Sequence, residues 1–328
     1  MNTQPSILTV DNLTAEFRLG EIYYPALHDL SFDIRQGEIF GLAGESGCGK
    51  STTATAVMNM LPENGRIKAG RAMFEGHNLL TLSEKELRRI WWGKIAMIFQ
   101  GSLNSLNPVR RVGSQIAEVL VLKGGLSKPQ AREKVNELFS LIGIRPDRSR
   151  DYPHEFSGGM RQRVMIAMAV CLDPGLVIAD ECTTALDVMI QAQIVNLLKH
   201  LNQTLGLSMI FINHDLALVA EICHRVAIMY AGRIVEMGSV GDVFARPAHP
   251  YVRQLVQALP LMEGPVDRLK SIPGSPPRLQ ETPRGCPFLP RCIDGDDACA
   301  NQVPPMLPVH PGHYAACFKN KDVHEGSR

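Results

Sequence analysis

The sequence predicts a mixed α/β fold, and three observations lead to this prediction. The apolar run 39–43 has the length of a buried strand, and a glycine-rich turn and a segment without helix breakers follow it. A second apolar run, 176–180, also has the length of a buried strand. Between the two runs, the segment 128–142 carries apolar side chains at helical spacing. Strands and helices that are interspersed along one chain indicate a mixed architecture.

The glycine-rich turn has the composition of a phosphate-binding loop. Its glycines let backbone N–H groups converge on phosphates, and the helix that follows presents its positive N-terminus. Lys50 can reach the β and γ phosphates, and the Ser51 hydroxyl can bind magnesium. We therefore predict a nucleotide site here. Its predicted residues are Gly44, Glu45, Ser46, Gly47, Cys48, Gly49, Lys50, Ser51 and Thr52.

The second apolar run ends in two acids, Asp180 and Glu181. In such a pair, the first carboxylate can hold magnesium and the second can polarise an attacking water. An ordinary buried strand followed by a solvated acidic turn has the same pattern. The phosphate-binding loop earlier in the chain favours the catalytic interpretation.

A second anion site is predicted at Ser157, Gly158 and Gly159, which precede a segment without helix breakers. Ser157 has the chemistry of an N-cap, and the two glycines allow close approach of the backbone to an anion. One chain with two half-sites for a triphosphate suggests that two chains enclose the nucleotide between them.

The order of these elements, followed by Asn213, His214 and Asp215, resembles that of the ATP-binding-cassette (ABC) ATPases. The resemblance covers about residues 7–245. It implies a P-loop NTPase core with an antiparallel β subdomain, and a helical subdomain at about residues 101–169. It also implies ATP as substrate and Mg2+ as cofactor.

The resemblance assigns roles to individual residues. It implies that Glu181 is the general base and that His214 contacts the γ phosphate, with Lys50 as the third catalytic residue. It implies that Ser51, Gln100 and Asp180 hold magnesium, and that Gln100 also senses the γ phosphate.

An aromatic ring that stacks on adenine is also implied. Phe17 lies near the position of that ring in the family, and Tyr23 and Tyr24 are competitors. Packing in the core is the alternative role for Phe17, because aromatic side chains are mainly core residues.

The resemblance further implies contacts to the nucleotide of a partner subunit. The residues predicted for these contacts are Ser157, Gly158, Gly159, Met160 and Asp187. Met160 replaces a glutamine that is common in the family, which should cost little because backbone N–H groups make most of the contact.

A second departure from the family pattern follows the predicted general base. Cys182 stands where a proline is usual, and proline would stiffen the backbone behind Glu181. The substitution leaves the carboxylate in place, so the property that it puts in question is the rate of hydrolysis.

Length and composition limit the possible functions. The chain has 328 residues, a formal net charge of +1 and 20% charged residues. It has no basic tract of the kind that neutralises a phosphate backbone, which argues against nucleic acid as a partner. No apolar run approaches the roughly 18 residues of a membrane-spanning helix, and residues 1–5 do not have the pattern of a targeting segment. We therefore expect a cytosolic chain.

The composition changes after about Arg246. Of the 22 prolines, 14 lie from Pro247 onward, and proline-rich backbone resists regular elements. We therefore predict a nucleotide-binding domain at residues 1–245 and a small proline-rich extension at residues 246–328.

The extension contains four of the eight cysteines: Cys286, Cys292, Cys299 and Cys317. In an oxidising compartment they would indicate two disulfides, but the expected cytosolic location favours a four-thiolate metal site, with zinc or an iron–sulfur cluster. A bound metal would supply folding free energy that so small a segment lacks. Buried or free thiols are the alternative.

The segment 246–255 resembles the C-terminal extension of the ATPase subunits of dipeptide and oligopeptide importers. In that group, a four-cysteine extension of this kind is associated with a 4Fe-4S cluster, so the resemblance favours iron–sulfur over zinc (Zn2+). It implies ATP-driven peptide import, at the cytoplasmic face of the bacterial inner membrane.

The resemblance also implies the partners of the chain. These are a second, similar ABC ATPase subunit in a heterodimer, two transmembrane permeases and an extracytoplasmic solute-binding protein. Opines, glycosides and nickel chelates are alternative cargoes. A cassette ATPase that acts on nucleic acid, or one that only senses nucleotide, is an alternative class.

Overall fold

A computed structural model of the chain describes residues 5–101, 105–184, 186–258, 272–281 and 283–323. The chain divides into two compact units. The first comprises Met1–Ile7, Ile34–Ile39 and Thr81–Phe211, and the second comprises Leu8–Asp33, Phe40–Leu80 and Ile212–Arg328. Residues from 246 onward therefore belong to the second unit, together with the phosphate-binding loop. The predicted domain boundary at 245/246 stays a prediction.

Strands and helices are interspersed along the chain, which confirms the mixed α/β class. Strands β1 to β12 are Ser6–Leu19, Ile22–Arg35, Ile39–Ala43, Gly65–Phe74, His77–Asn78, Ile95–Ile98, Leu176–Asp180, Ser208–Asn213, Arg225–Tyr230, Arg233–Ser239, Leu307–His310 and His313–Ala315. Helices α1 to α10 are Lys50–Val57, Glu84–Ile90, Val112–Leu122, Lys128–Leu141, Gly158–Val170, Val188–Leu205, Leu216–Ile222, Val240–Ala245, Pro250–Gln257 and Asp297–Asn301. Short 3-10 helices are Leu79–Thr81, Pro146–Arg150, Pro153–Glu155, Leu289–Arg291 and Phe318–Val323.

The first unit is built on buried strands that are apolar along almost their whole length. Strands β6, β7 and β8 are neighbours in that order, and β6 runs parallel to β7 with Ile95 opposite Leu176. All five residues of β7 are buried, which is typical of a parallel strand covered on both faces. The last of these five is Asp180, so the strand delivers a carboxylate to its C-terminal end.

Helices α3, α4 and α5 of the first unit contact one another. They lie within residues 112–170, which overlap the helical subdomain predicted at about residues 101–169. Helix α4 begins with a capping box in which Ser127 and Gln130 satisfy each other's backbone N–H groups. Its apolar side chains, among them Val135, Leu138 and Phe139, are buried. The structure thus confirms the helix that the sequence predicts at 128–142.

The second unit contains the strand that leads into the phosphate-binding loop. This strand, β3, runs parallel to β9, and β9 pairs with β10 in an antiparallel hairpin. Strand β12 continues the sheet beyond β10, and β11 forms its edge. Strands β2, β1, β4 and β5 form a separate sheet in that order, with antiparallel pairs β1–β4 and β4–β5. This second sheet corresponds to the antiparallel β part of the predicted fold.

Among the described residues, no helix has both the length and the apolar composition that a membrane span requires.

A buried carboxylate, that of Glu236 on β10, connects three segments of the second unit. The backbone N–H of Ala248 donates to both of its oxygens at 3.0 and 3.1 Å, and that of His249 donates at 2.7 Å. Nε2 of His313 on β12 lies 2.8 Å from Oε1, and both side chains are fully buried. Burial of a carboxylate is costly unless hydrogen bonds surround it. Glu236 therefore fixes where the chain leaves α8 and where β12 joins the sheet.

We expect Glu236→Gln to lower the free energy of unfolding by about 3 kcal/mol, because the new amide group would face N–H donors in a buried site. The midpoint of urea unfolding measures this change. Glu84→Gln is the matched control, since its ion pair with Arg88 is exposed and should contribute less than about 0.5 kcal/mol. Equal effects of the two substitutions would contradict this account of Glu236.

His249, which follows Ala248 in sequence, is buried and caps helix α9. Its Nδ1 accepts a hydrogen bond from the backbone N–H of Tyr251 at 3.1 Å, which requires an unprotonated nitrogen. Burial lowers the pKa of His249 from 6.5 to about 3, and the charge of Arg253 adds to this effect. The folded protein therefore holds this imidazole neutral at a pH where the unfolded chain protonates it.

This difference predicts a loss of stability as the pH falls below the pKa of the unfolded chain. Between pH 7 and pH 5, the neutral His249 should account for about 2 kcal/mol of lost unfolding free energy. His249→Asn keeps an N-cap acceptor but cannot titrate, so its unfolding free energy should fall less over the same range. Urea unfolding of both proteins at several pH values measures the difference. Parallel pH profiles would show that His249 is not the source.

Candidate functional site

The phosphate-binding loop joins β3 to α1 in the second unit. Gly49 caps α1 in the left-handed conformation, with φ of 106°, which favours glycine. Gly44 has φ of +146°, and a Cβ atom there would lie 2.3 Å from the carbonyl oxygen of Met229 on β9. The loop thus needs glycine at position 44 for space as well as for backbone conformation.

Lys50 lies in the first turn of α1 and is buried. Its Nζ donates to the carbonyl oxygens of Gly44 at 2.8 Å and of Glu45 at 3.0 Å, which are in the same loop. The following residues, Ser51 and Thr52, are partly exposed. Cys48 is buried, and its burial raises the pKa of the thiol although Lys50 acts in the opposite direction. Cys48 is therefore a packing residue, whereas Lys50 is held in place by carbonyl groups of the loop.

The predicted magnesium ligand Asp180 and the predicted general base Glu181 lie in the first unit at the end of β7. Asp180 is buried at the last position of the strand, and Glu181 follows with φ of 44°. Oε2 of Glu181 accepts hydrogen bonds from Nε2 of Gln100 at 2.7 Å and from Oγ1 of Thr184 at 3.3 Å. The structure thus brings together two predicted site residues, Gln100 and Glu181, that are far apart in sequence.

Cys182, which replaces the usual proline, is buried directly behind Glu181. Burial raises the pKa of its thiol to about 12. The side chain is therefore an uncharged packing group. The left-handed backbone at Glu181 costs roughly 1–2 kcal/mol for a non-glycine residue, and the hydrogen bonds to its carboxylate act to hold that orientation.

The predicted second anion site also lies in the first unit, at the start of α5. Ser157 Oγ accepts a hydrogen bond from the backbone N–H of Met160 at 3.3 Å, which confirms it as an N-cap. A Cβ atom at Gly159 would lie 2.7 Å from Cγ2 of Ile190, on helix α6. Asp187 caps α6 and accepts from the backbone N–H of Ile190 at 2.9 Å. The starts of α5 and α6 are thus packed together, and a larger residue at position 159 would force Ile190 to shift.

His214, at the end of β8, belongs to the second unit and is exposed. The residues on either side of it fix the backbone. The side chain of Asn213 accepts from the N–H of Asp215 at 2.8 Å, and Asp215 caps α7 by accepting from the N–H of Ala217 at 2.9 Å. The imidazole is therefore presented from a well-supported turn between a strand and a helix.

The three candidate adenine-stacking rings lie on β1 and β2. Phe17 is partly exposed on β1, opposite Gly65 of β4. The guanidinium of Arg66 lies 3.6 Å from the centroid of the Tyr23 ring, so a cation covers one face of that ring. Tyr24 is also partly exposed. The choice of Phe17 stays a prediction.

Two residues of the extension contact the phosphate-binding loop, and neither is among the site residues predicted from the sequence. The hydroxyl of Tyr251 accepts from the backbone N–H of Glu45 at 3.0 Å, and Arg291 forms an ion pair with the side chain of Glu45 at 2.7 Å. Tyr251 lies within the segment 246–255 noted above, but nothing in that segment indicates a contact with the loop, and Arg291 belongs to no recognised motif.

The four cysteines of the extension line one small cavity in the second unit. None of the eight cysteines, all of which lie in the described residues, forms a disulfide. The backbone N–H of Cys286 donates to the carbonyl oxygen of Cys299 at 2.7 Å, and Asp296 caps α10 by accepting from the N–H of Cys299 at 3.1 Å. Burial, together with the other three thiols, raises the pKa of Cys286 to about 11.

A single-ion site is not preformed in this cavity. In the part of the chain that the structure describes, no three His, Cys, Asp or Glu side chains are grouped so that they could hold a metal ion. A zinc site would require four sulfur atoms about 2.3 Å from one centre. The predicted four-cysteine metal site is therefore not confirmed, although the four residues do converge.

Two family models match the chain. The model described as "ABC transporter" matches residues 27–184, and the one described as "Oligopeptide/dipeptide transporter, C-terminal region" matches residues 235–299. The second match includes Cys286, Cys292 and Cys299 but ends before Cys317.

Several curated proteins are similar to the chain over nearly its whole length. A probable peptide ABC transporter ATP-binding protein of Sinorhizobium fredii is 46% identical, covering 97% of this chain and 96% of the relative. The oligopeptide transport ATP-binding protein OppD of Salmonella typhimurium is 47% identical, covering 95% and 93%. The dipeptide transport ATP-binding protein DppD of Bacillus subtilis is 42% identical, covering 95% and 94%.

Solved structures with the same fold are more distant in sequence. The dimeric bacterial ABC transporter cassette MJ0796 has a TM-score of 0.63 and 27% identity, covering 71% of this chain and 98% of that one. The protein cbiO1 of Clostridium perfringens, part of the ABC transporter complex cbiONQ, has a TM-score of 0.65 and 28% identity, covering 74% and 92%. These similarities, together with the curated relatives, establish the family of the chain.

Proposed function

This chain belongs to the family of ABC transporter ATP-binding proteins, and we propose that it hydrolyses ATP to power peptide import across the bacterial inner membrane. The observation that carries the proposal is the presence of both family matches in one chain. The first match covers the phosphate-binding loop and the strand with the two acids. The second is a region described for oligopeptide and dipeptide transporters.

The names of the similar proteins support peptide as the cargo. Three relatives that align with at least 95% of the chain are named for peptide, oligopeptide or dipeptide transport. Opines, glycosides, nickel chelates and nucleic acid, the alternatives that the sequence left open, have no counterpart in those names. Oligopeptides and dipeptides are both consistent with these relatives.

The residues described above have complementary roles in hydrolysis. The phosphate-binding loop and Lys50 would bind and neutralise the phosphates of ATP. Ser51, Gln100 and Asp180 would hold Mg2+, which supplies charge neutralisation at the β and γ phosphates when bound. Glu181 would take the proton of the attacking water, and its hydrogen bond from Gln100 supports the orientation that this requires.

Further groups would act in the transition state. His214 would support the charge that develops on the γ phosphate. The helix N-terminus at Ser157, with Gly158, Gly159, Met160 and nearby Asp187, would complete the site of a partner subunit. The cap at Ser157 and the tight packing at Gly159 support this role, since they leave the first N–H groups of α5 in a fixed position.

We place the chain at the cytoplasmic face of the membrane as one half of an ATPase heterodimer. Its further partners would be two transmembrane permeases and an extracytoplasmic solute-binding protein. The relatives support a transporter assembly, since each is named as an ATP-binding protein of a transport system.

We expect Glu181→Gln to lower ATP hydrolysis by at least about a hundredfold, because a general base contributes 10²–10⁴-fold, while ATP binding is retained. The assay uses the transporter reconstituted in vesicles with its binding protein and a peptide, so that hydrolysis and uptake are measured together. Glu137→Gln, on the exposed side of α4, is the control and should be active. Hydrolysis by Glu181→Gln at the wild-type rate would contradict the assignment.

The same variant tests the pairing. With ATP, Glu181→Gln should form a dimer with the second ATPase on size exclusion, and it should remain monomeric by itself. A stable homodimer that supports transport without the second ATPase would show the heterodimer proposal to be wrong.

We further propose that the extension, residues 246–328, holds a 4Fe-4S cluster through Cys286, Cys292, Cys299 and Cys317. Convergence of the four thiols on one cavity supports this proposal, and cysteine thiolates are the usual ligands of such clusters. The preference for a cluster over zinc comes from the resemblance of the extension to that of the peptide importers.

Anaerobically purified protein should therefore contain about four iron atoms per chain and an absorption band at about 400 nm that bleaches on reduction. Cys299→Ser should lose the band. Cys223→Ser, which changes a cysteine outside the extension, should keep it. Stoichiometric zinc without iron would overturn the cluster proposal.

A further inference from the structure

The side chain of Glu45 in the phosphate-binding loop is held by an arginine of the C-terminal extension. Nη1 of Arg291 donates to Oε2 of Glu45 at 2.7 Å, and Nη2 donates to Oε1 at 2.9 Å. This is the bidentate geometry in which the planar guanidinium matches a carboxylate, and it is stronger and more directional than a single contact. The two residues are 246 positions apart in sequence.

Arg291 is also held in position by groups other than Glu45. Its Nε donates to the carbonyl oxygen of Pro273 at 2.8 Å, and Nη1 also lies 3.3 Å from the hydroxyl of Tyr230. The side chain is only 5% exposed, and the guanidinium carbon lies 5.9 Å from the ring centroid of Phe288. An arginine held by these three contacts loses little further freedom when it binds a carboxylate.

The backbone of Glu45 is tied to the same region and to the catalytic lysine. Its N–H donates to the hydroxyl of Tyr251 at 3.0 Å, and its carbonyl oxygen accepts from Nζ of Lys50 at 3.0 Å. One residue of the loop thus contacts the extension with its side chain and its N–H, and contacts Lys50 with its carbonyl group. A shift of Glu45 would move the acceptor of Lys50.

Three buried aromatic rings, which include the ring of Tyr251, pack against one another next to these contacts. The ring centroids of Tyr230 and Tyr251 are 4.8 Å apart, and those of Tyr230 and Phe288 are 5.2 Å apart in an edge-on arrangement. The centroids of Tyr251 and Phe288 are 5.3 Å apart. Such a cluster is rigid because each ring fills the space left by the other two. The backbone N–H of Arg291 donates to the carbonyl oxygen of Phe288 at 2.9 Å, so the cluster also fixes the arginine backbone.

The charge of Glu45 gives this contact a consequence for ligand binding. A carboxylate in a loop that receives a triphosphate repels its ligand unless a cation neutralises it. The side chain of Glu45 is 25% exposed and that of Arg291 is 5% exposed, so water screens the pair only in part. Arg291 neutralises the charge of Glu45, the one acidic side chain of the phosphate-binding loop.

We propose that Arg291 is a positioning residue for ATP binding, which acts through Glu45 by neutralising its carboxylate and by fixing the loop that holds Lys50. The proposal rests on the proposed function only in taking ATP as the ligand. It gives the C-terminal extension a direct part in the affinity of the phosphate-binding loop.

The test is a cycle of four full-length chains, namely wild type, Arg291→Met, Glu45→Gln and the double variant, with Arg291→Lys and Arg246→Met as two further comparisons. Arg291→Met should raise the Kd for ATP about tenfold, because the carboxylate of Glu45 would then repel the phosphates without a compensating cation. In the reconstituted transporter, kcat at saturating ATP should change by less than about twofold, because Arg291 does not touch the reacting atoms. Arg291→Lys keeps the charge but loses the bidentate contact. Its Kd for ATP should therefore lie between that of the wild type and that of Arg291→Met.

The double variant separates charge from packing. In the double variant, the carboxylate of Glu45 is removed together with Arg291, so it can no longer repel the phosphates of ATP. The Kd of the double variant for ATP should therefore lie within about threefold of that of Glu45→Gln alone. Arg246→Met is the matched control, since Arg246 pairs with Asp242 on an exposed helix face of the same unit, and it should leave the Kd unchanged. Unfolding midpoints establish that each variant is folded.

Two outcomes would overturn the proposal. One is a wild-type Kd for both Arg291→Met and Arg291→Lys. The other is a raised Kd that the Glu45→Gln substitution does not lower, which would mean that Arg291 supports the fold alone. Equilibrium binding of radiolabelled ATP gives the Kd without hydrolysis. A chain that binds ATP as expected but never hydrolyses it would refute the proposed function and leave this inference intact.

Discussion

The buried carboxylate of Glu236 is the contact on which the placement of the C-terminal residues depends. It accepts hydrogen bonds from the backbone at the start of α9 and lies against His313 of β12. Since a carboxylate can be buried only where its oxygens are satisfied, few arrangements of these three segments are compatible with it. Helix α9 therefore begins beside β10, and Tyr251, in its first turn, reaches the phosphate-binding loop. A single buried charge in this way connects the core strand, the extension and the loop.

Within each unit, the groups proposed for catalysis are oriented by neighbours in that unit. In the second unit, Lys50 is held by the carbonyl groups of its own loop. In the first unit, Gln100 and Glu181 are joined by a hydrogen bond. Such preorganisation lowers the reorganisation that a substrate must induce, which is the main way in which electrostatic catalysis gains its advantage. The tight backbone at Gly44 and the left-handed residue Glu181 are the local costs of this arrangement.

Much of this architecture follows from local sequence patterns. The phosphate-binding loop, the strand ending in Asp180, the N-cap at Ser157 and helix α4 all have signals that lie within a few residues. The contacts of Glu236 and Arg291 have no such signal. The contact of Glu236 with His313 spans 77 positions and that of Arg291 with Glu45 spans 246. From sequence alone, an isolated glutamate or arginine is expected to be an ordinary surface residue. The choice of adenine-stacking ring also depends on packing, since three aromatic residues occur close together in sequence.

The pairing of Glu45 with Arg291 has a consequence for exchanging parts between transporters. An ATPase assembled from the loop of one protein and the extension of another would inherit position 45 from one parent and position 291 from the other. If the two residues do not match in charge, the hybrid would carry an uncompensated group beside its nucleotide, however well each part folds. Engineering of hybrid importers should therefore transfer the two positions together, as one electrostatic unit.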